Sequence, residues 1–257
     1  MIATAELVQY LDDILETATI PDYPNAVNGL QLGNRGRITS IAASVDFSGK
    51  AVSAAAAAGA DLLLVHHGMF WSGAKPITGA GYERMRTLIE NDIAVYSSHL
   101  PLDRHQAFGN NVLLSEQLGL VPSGEFASFK GKSIGVRGDS DLATREIAQR
   151  ARVFAGQHGG SVVTTPFDDT RRTRSWGVCT GAGASAETLQ EAVETGIDTL
   201  IVGEGPHWTA VEAAEIGLTI IYAGHYATET LGVTALGKHL ADRFSLDFMA
   251  VSAPTGL

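Results

Sequence analysis

The chain contains an internal repeat. The segment Gly59 to Trp71 (GADLLLVHHGMFW) recurs as Gly196 to Trp208 (GIDTLIVGEGPHW), with Gly, Asp, Leu, Val, Gly and Trp at equivalent positions. A repeat of this length, in which a buried apolar run is bounded by glycines, indicates two copies of the same structural unit. The chain is therefore predicted to fold as two related halves.

Each half alternates apolar strands with helices. In the first half, Ile38 to Val45 and Asp61 to Val65 read as buried strands on either side of an alanine-rich helix from Ser48 to Ala58. Alternation of this kind predicts parallel pairing with both sheet faces covered. We therefore expect two related α/β domains with mostly parallel sheets flanked by helices. The predicted division is residues 1–124 plus about 225–257 for the first domain, and 125–224 for the second.

Composition excludes several classes of protein. The formal net charge of -10 leaves no basic stripe for a phosphate backbone, which argues against nucleic acid as a partner. Cys179 is the only cysteine, so a disulfide framework is excluded and a reducing compartment is expected. The N-terminus does not resemble a secretory signal, and no apolar run approaches the roughly 20 residues that span a bilayer. We expect a cytoplasmic protein without a membrane partner.

A second pair of equivalent segments carries the chemistry. Tyr96 to His99 is followed by Asp103, and Tyr222 to His225 is followed by Glu229. In both segments a carboxylate comes four residues after a histidine, next to the end of a predicted strand. Ligands gather at the carboxyl ends of parallel strands in α/β proteins. The two pairs therefore suggest one metal site shared by the halves.

Two adjacent histidines add to this candidate site. His66 and His67 follow the strand that ends at Val65, and neighbouring side chains leave an extended backbone on opposite sides. We therefore expect each histidine to serve a different one of two nearby ions. Imidazole and carboxylate groups together suit Zn, Mn, Fe or Co rather than Ca. The predicted metal ligands are His66, His67, Asp103, His225 and Glu229.

This ligand set predicts two divalent ions per chain. Two such ions carry more positive charge than two carboxylates neutralise, so the centre could activate water and hold an anionic substrate. Glu229 is the predicted bridge between the ions. Glu204 and His207, the repeat equivalents of His67 and Phe70, are predicted to contact substrate or transfer protons. The alternative for both is that they only cap the helix that begins there. His99 is predicted to orient Asp103 or to contact substrate.

One motif supports a different function. Gly181 to Ala186 fits the dinucleotide-binding pattern GxGxxA between a strand and a helix, with Glu204 after the next strand as a candidate ribose-binding acid. Taken alone, this pattern predicts an NAD-binding enzyme. The same glycine turn is, however, the repeat partner of the turn at Val45 to Gly49. The dinucleotide hypothesis is therefore the weaker alternative.

Taken together, the motifs resemble a known family. The chain is similar to the Nif-three-like dinuclear-metal family, whose bacterial members commonly carry the name GTP cyclohydrolase I type 2 homologue. The motifs cover nearly the whole chain in the family's order: NGLQ from Asn28, HHG from His66, SHLPLD ending at Asp103, GNN from Gly109, GE at Gly203, and GHYATE ending at Glu229.

The family resemblance also implies a set of metal ligands and an oligomeric state. It implies that His66, His67, Asp103, His225 and Glu229 hold two metals, and that the protein is a ring-shaped homohexamer. The chain differs from many relatives in having Leu-Pro-Leu after His99 where they carry threonine, and its middle, from about Phe126 to Ser175, is too short for the extra domain that some relatives insert.

The sequence therefore predicts a dinuclear metal-dependent hydrolase that uses metal-activated water on a nucleotide-like or phosphoester small molecule. A metal-binding oligomeric scaffold or regulator that catalyses nothing is the main alternative. Open coordination positions would favour the enzyme, and closed four-coordinate ions would favour the scaffold.

Overall fold

The structure is a computed structural model that describes all residues from 1 to 257. It contains two compact units, one formed by Met1–Leu102 with Gly232–Ala253 and the other by Asp103–Leu231 with Pro254–Leu257. The division differs from the one predicted at residues 124 and 225. Asp103, His225 and Glu229 consequently belong to the second unit, although the sequence analysis assigned them to the first.

The helices and strands follow one another along the chain. Through the short helix that ends at Asp103 they are β1 (Ile2–Ala3), α1 (Thr4–Ile14), β2 (Gly29–Leu32), β3 (Arg37–Ile38), β4 (Ser40–Asp46), α2 (Gly49–Ala57), β5 (Leu62–His67), α3 (Ala80–Glu90), β6 (Ala94–Ser97) and α4 (Leu100–Asp103). The remainder are α5 (Asn110–Gln117), β7 (Gly124–Phe129), β8 (Lys132–Ala143), α6 (Thr144–Gln157), β9 (Val163–Thr164), β10 (Arg172–Cys179), α7 (Ala186–Thr195), β11 (Thr199–Val202), α8 (His207–Glu215), β12 (Thr219–Tyr222), α9 (His225–Thr228), α10 (Thr230–Phe244) and β13 (Asp247–Ala250).

The first unit contains a five-stranded sheet in the order β13-β4-β5-β6-β2. Its first four strands are parallel, and only the edge strand β2 runs antiparallel. Every residue of β5 is buried, because helices cover both faces of a parallel sheet. Leu63, Val65 and Val95 pack with the alanine face of α2, so the small side chains there allow close approach of helix and sheet.

The second unit contains a six-stranded sheet in the order β7-β8-β10-β11-β12-β9. Its central strands β10, β11 and β12 are parallel and alternate with α7 and α8, which repeats the arrangement of β4, α2, β5, α3 and β6. Equivalent serines begin the first helix of each repeat. Ser48 accepts a hydrogen bond from Ala51 N, and Ser185 accepts one from Thr188 N. The predicted α/β class and internal repeat are confirmed.

The second sheet is less parallel than the sequence predicted. Strands β7 and β8 form a hairpin, and β8 and β9 both run antiparallel to their neighbours. The hairpin turn consists of Lys130 and Gly131, which both have positive φ angles of 48° and 81°. Two such residues match the twist of the flanking strands and favour a tight hairpin. The sequence analysis predicted mostly parallel sheets and did not identify this hairpin.

No helix in the structure combines the length and the apolar character that crossing a membrane would require.

Candidate metal centre

In the first unit, the end of β5 presents two histidines whose rings are held by their Nδ1 atoms. His66 Nδ1 lies 2.9 Å from the carbonyl oxygen of Ser98, just after β6. His67 Nδ1 lies 2.9 Å from Asp46 Oδ1, and Asp46 is the register partner of His67 on β4. A carbonyl or carboxylate oxygen accepts, so each Nδ1 donates its proton and the ring lone pair is on Nε2.

A third histidine of the first unit is held in the same way. His99 Nδ1 donates to Asp22 Oδ1 over 2.8 Å. The other oxygen of Asp22 accepts from Leu100 N and from the Asn28 amide, while Asn28 Oδ1 accepts from His99 N at 2.8 Å. Burial raises the pKa of Asp22, but the hydrogen bonds and charge of His99, with the bond from Asn28, outweigh it and leave the pKa below its usual value.

These three histidines lie close together. One ring nitrogen from each of His66, His67 and His99 is within 4.8 Å of the others, and all three residues are buried. The rings of His66 and His67 are 4.8 Å apart, closer than simple alternation along a strand suggests. Trp71 covers the group, with its ring 4.5 Å from that of His67 and 4.4 Å from that of His99. The ring of His99 therefore lies with those of the predicted ligands His66 and His67, in a group that could hold a metal ion.

Gln31 of the NGLQ motif fixes the turn after these histidines. Its Nε2 donates to the carbonyl oxygens of Ala26 and Val27, and its Oε1 accepts from Met69 N at 2.6 Å. A Cβ at Gly68 would collide with the Gln31 amide. A side chain between His67 and Met69 would therefore displace the Gln31 amide from its hydrogen bonds.

In the second unit, His225 begins α9 and lies between two glutamates. Its Nδ1 is 2.7 Å from Glu204 Oε1, and its Nε2 is 3.2 Å from Glu229 Oε2. Burial lowers the pKa of His225, but the hydrogen bonds and charges of Glu229 and then Glu204 outweigh burial and raise the pKa to about 9. Glu204 thus contacts a candidate ligand directly, whereas the sequence analysis predicted for it a contact with substrate or a proton-transfer role.

Gly181 provides the space for this pair. It has a φ of +61°, and a Cβ there would collide with the Glu229 carboxylate and come within 3.4 Å of His225 Nε2. Its N–H donates to the Thr228 hydroxyl at 3.1 Å. The glycine of the GxGxxA pattern is therefore explained by its contact with Glu229, without a dinucleotide.

Asp103 is oriented by the GNN segment. Its Oδ1 accepts from the Asn110 amide at 2.8 Å, and its backbone oxygen accepts from the Asn111 amide at 3.2 Å. A Cβ at Gly109 would overlap the backbone oxygens of Asp103 and His105, so this turn also requires glycine. The Asp103 carboxylate is buried within the second unit.

His207 occupies the first position of α8 and is exposed. With Glu204 and Tyr222 it lines a cleft of about 280 Å³. It contacts none of the candidate ligands of the second unit by hydrogen bond, so a role in proton transfer stays a prediction. The Thr209 hydroxyl, rather than His207, bonds the carbonyl oxygen of Pro206 and the hydroxyl of Tyr222.

The residues of the two units fit divalent transition ions. All four histidines, His66, His67, His99 and His225, use Nδ1 to contact an oxygen acceptor. This arrangement fixes the tautomer and orientation of an imidazole ligand and raises its basicity. Asp103 and Glu229 add buried carboxylates. The donor set is that of Zn, Mn, Fe or Co.

Sequence reasoning missed Asp22, Asp46 and Trp71. The two aspartates lie far along the chain from the histidines that they contact, and a lone aspartate in a loop or at a strand end carries no distinctive signal. The NGLQ and GNN motifs contain the signal that could have identified Asn28 and Asn110. Side-chain amides in motifs of this kind suggest hydrogen bonds that orient nearby ligands.

The chain was compared with known proteins. It is 40% identical to the GTP cyclohydrolase 1 type 2 homolog of Deinococcus radiodurans over 258 residues, covering 98% of this chain and 94% of that protein. Among solved structures, the protein ybgI, described as of unknown function, superposes with a TM-score of 0.89 at 32% identity over the whole of both chains. The protein TTHA1606 from Thermus thermophilus gives a TM-score of 0.82, also at 32% identity and with 100% of both chains covered.

The family comparison agrees with the motifs. Residues 2–255 match the model of the family described as Duf34/NIF3 (NGG1p interacting factor 3). The match covers nearly the whole chain and confirms the predicted resemblance. The chain belongs to the DUF34/NIF3 family.

Proposed function

We propose that the protein is a dinuclear metal-dependent hydrolase whose two ions are held by His66, His67, Asp103, His225 and Glu229. The observation that carries the proposal is the shared orientation of the histidines. In His66 and His67 each Nδ1 donates to a carbonyl or carboxylate oxygen, which leaves Nε2 suited to bind a cation, and at His225 a cation would displace the proton that Nε2 shares with Glu229. The relatives named GTP cyclohydrolase 1 type 2 homolog support hydrolytic chemistry on a nucleotide-like substrate.

When bound, two divalent ions would lower the pKa of water and stabilise the charge that develops on the attacked group. The chain's own residues have complementary roles. Asp46 holds His67 in one tautomer, and Glu204 fixes the orientation of the His225 ring. Asn110 keeps one oxygen of Asp103 occupied, so that the carboxylate has a defined orientation.

Two further groups are proposed to act on the substrate. Trp71 covers His67 and His99 and would exclude bulk water from that side. His207 is exposed and lines the same cleft as Glu204, and an imidazole is the side chain best suited to exchange a proton near neutral pH. We propose His207 as the residue that transfers a proton to or from substrate.

The test is metal analysis followed by a substrate panel. Purified protein is loaded with Zn, Mn, Fe or Co and assayed with GTP and simple phosphoesters, with release of formate and of phosphate measured separately. The proposal expects turnover that is lost in Asp103→Asn and Glu229→Gln together with bound metal. His158→Gln serves as the matched control, because the His158 ring packs on Phe154 and is not among the proposed ligands.

Two results would contradict the proposal. Full metal occupancy with no turnover on any substrate would favour the scaffold or regulator. Turnover that survives complete removal of metal would exclude the metal-dependent mechanism.

A further inference from the structure

A cleft of about 290 Å³ lies beside the histidine pair in the first unit. Its wall includes Phe47, whose N–H donates to the carbonyl oxygen of His67 at 2.9 Å, and Met69 and Phe70, which follow His67 in the chain. The cleft therefore begins within two residues of a proposed metal ligand. Its volume is at the lower end of the range for small-molecule pockets.

The charge of this cleft is opposite to that of the protein. Lys75 and Arg84 line it, and no aspartate or glutamate does. The whole chain carries 28 acidic residues against 18 Lys and Arg, with a net charge of -10. A concave surface with two cations and no carboxylate is therefore a local positive site on an acidic molecule, which favours an anionic ligand.

Arg84 has hydrogen-bonding capacity that the protein does not use. Its Nε is buried and has no hydrogen-bond partner, and its guanidinium carbon lies 5.5 Å from the centre of the Phe47 ring. Buried donors are almost always satisfied, so one without a partner beside a cleft suggests a ligand. A guanidinium presents a planar fork of donors that fits phosphate.

The backbone adds to this site. Gly81, in the first turn of α3, also lines the cleft, so the N-terminal end of this helix, Ala80–Glu90, faces the cavity. The N-terminus of a helix carries a partial positive charge that attracts anions, although the N–H groups of Gly81, Tyr82 and Glu83 already bond the carbonyl oxygens of Thr78 and Gly79. Lys75 is exposed on the loop before the helix, where its flexible stem can reach a bound anion.

We propose that this cleft binds a phosphate group of the substrate through Arg84 and Lys75. The inference rests on the proposed hydrolase function and assigns the residues that would hold the phosphate of its substrate. The phosphate would lie on the Phe47 side of His67, and the rest of the substrate would extend towards the metal ligands of that unit. Phe47 and Phe70 offer apolar surface to a base or another planar group attached to the phosphate.

The test uses inorganic pyrophosphate as the probe and metal-free protein at low ionic strength. Binding is measured by calorimetry, so that bound metal cannot contribute to it. We expect one pyrophosphate per chain, about tenfold weaker binding in Lys75→Gln and in Arg84→Gln, and no detectable binding in the double variant. Arg84→Lys should fall between wild type and Arg84→Gln, because lysine keeps the charge and loses the fork.

Arg35→Gln is the matched control. Arg35 belongs to the same unit, is exposed, and lies 3.9 Å from Asp92, away from the cleft lining. It should bind pyrophosphate as wild type does. Lys75 is exposed, so Lys75→Gln keeps the test decisive even if Arg84→Gln does not fold.

The inference is overturned if wild type does not bind pyrophosphate, or if Lys75→Gln and Arg84→Gln bind it as tightly as wild type. Because no metal is present, these outcomes are separate from those of the hydrolase test. If pyrophosphate does not bind but metal-dependent turnover is found, the phosphate site is wrong and the hydrolase function stands. If pyrophosphate binds but no substrate is turned over, the cleft remains a phosphate-binding site and the hydrolase function is wrong.

Discussion

Glu204 Oε1 accepts a hydrogen bond from His225 Nδ1 over 2.7 Å. His67 has the same relationship with Asp46, at 2.9 Å, in the first unit. A carboxylate that accepts a hydrogen bond from one imidazole nitrogen leaves the other nitrogen to bind a cation and raises its basicity. The internal repeat has thus produced the same chemical arrangement in both units from residues at different positions in the repeat.

Replacing the supporting carboxylate should weaken metal binding without removing a ligand. For Glu204→Gln we expect metal affinity to fall about 10- to 100-fold, because the amide still fits but no longer supplies a negative charge. Isothermal titration of metal-free protein with Zn or Mn measures this. Glu212→Gln on α8 is the control and should titrate as wild type. Unchanged affinity in Glu204→Gln would show that the contact with His225 does not support a ligand.

Gly181 should be more sensitive to substitution than another glycine with the same backbone conformation. Gly181 and Gly196 have φ angles of +61° and +72°, but an added Cβ meets the Glu229 carboxylate only at Gly181 and nothing within 4 Å at Gly196. Alanine at either position should cost about 1–2 kcal/mol of unfolding free energy from backbone strain. Only Gly181→Ala should also lower metal occupancy, as measured by elemental analysis. Equal occupancy in the two variants would refute the contact.

Asn28 should matter to stability because it links Asp22 to the backbone of His99. Its Nδ2 donates to Asp22 and its Oδ1 accepts from His99 N. Asn28→Ala removes both bonds and should cost about 1–3 kcal/mol of unfolding free energy. Urea denaturation of metal-free protein gives the value. Asn91→Ala, at an exposed helix end where the amide bonds only Thr87 O, should change stability by less than about 0.5 kcal/mol.

The single cysteine should be inert in the folded protein. Burial raises the pKa of the Cys179 thiol, and the charges of Asp103, Glu191 and Glu229 raise it further. Because a raised pKa keeps the group as a thiol as the pH increases, iodoacetamide should not modify it at about pH 8 to 9. Mass spectrometry should show modification only after unfolding in urea. Rapid modification of the native protein would contradict this burial.

The apolar runs before His66 and before Gly203 predicted the central parallel strands of the two sheets. Such runs are typical of strands that are buried on both faces in α/β proteins. The predicted helix Ser48 to Ala58 and strand Asp61 to Val65 agree with α2 and β5 to within two residues at each end. The hairpin of β7 and β8 was missed, because its Lys130-Gly131 turn lacks the Asn-Gly or Asp-Gly signal of such turns. No strand was predicted at β2, because this short edge strand lacks the long apolar run of the central strands.

The candidate site was only partly predictable for a physical reason. The histidines at strand ends could be identified because the apolar runs in the sequence show where the strands end. Their supporting groups could not be, since Asp22 is 77 positions from His99 and Asp46 is 21 from His67. The repeat gave the positions of His99 and Asp103 but not these partners, since His99 contacts Asp22 and Asn110 donates to Asp103.

The most direct test of the account is the metal content of the purified protein after loading with Zn or Mn and removal of excess ions. The account predicts two ions per chain in wild type and in His158→Gln, and a clear loss of bound metal in His67→Ala, His225→Ala and Glu229→Gln. Metal content in those three variants equal to that of wild type would show that these residues do not hold the ions.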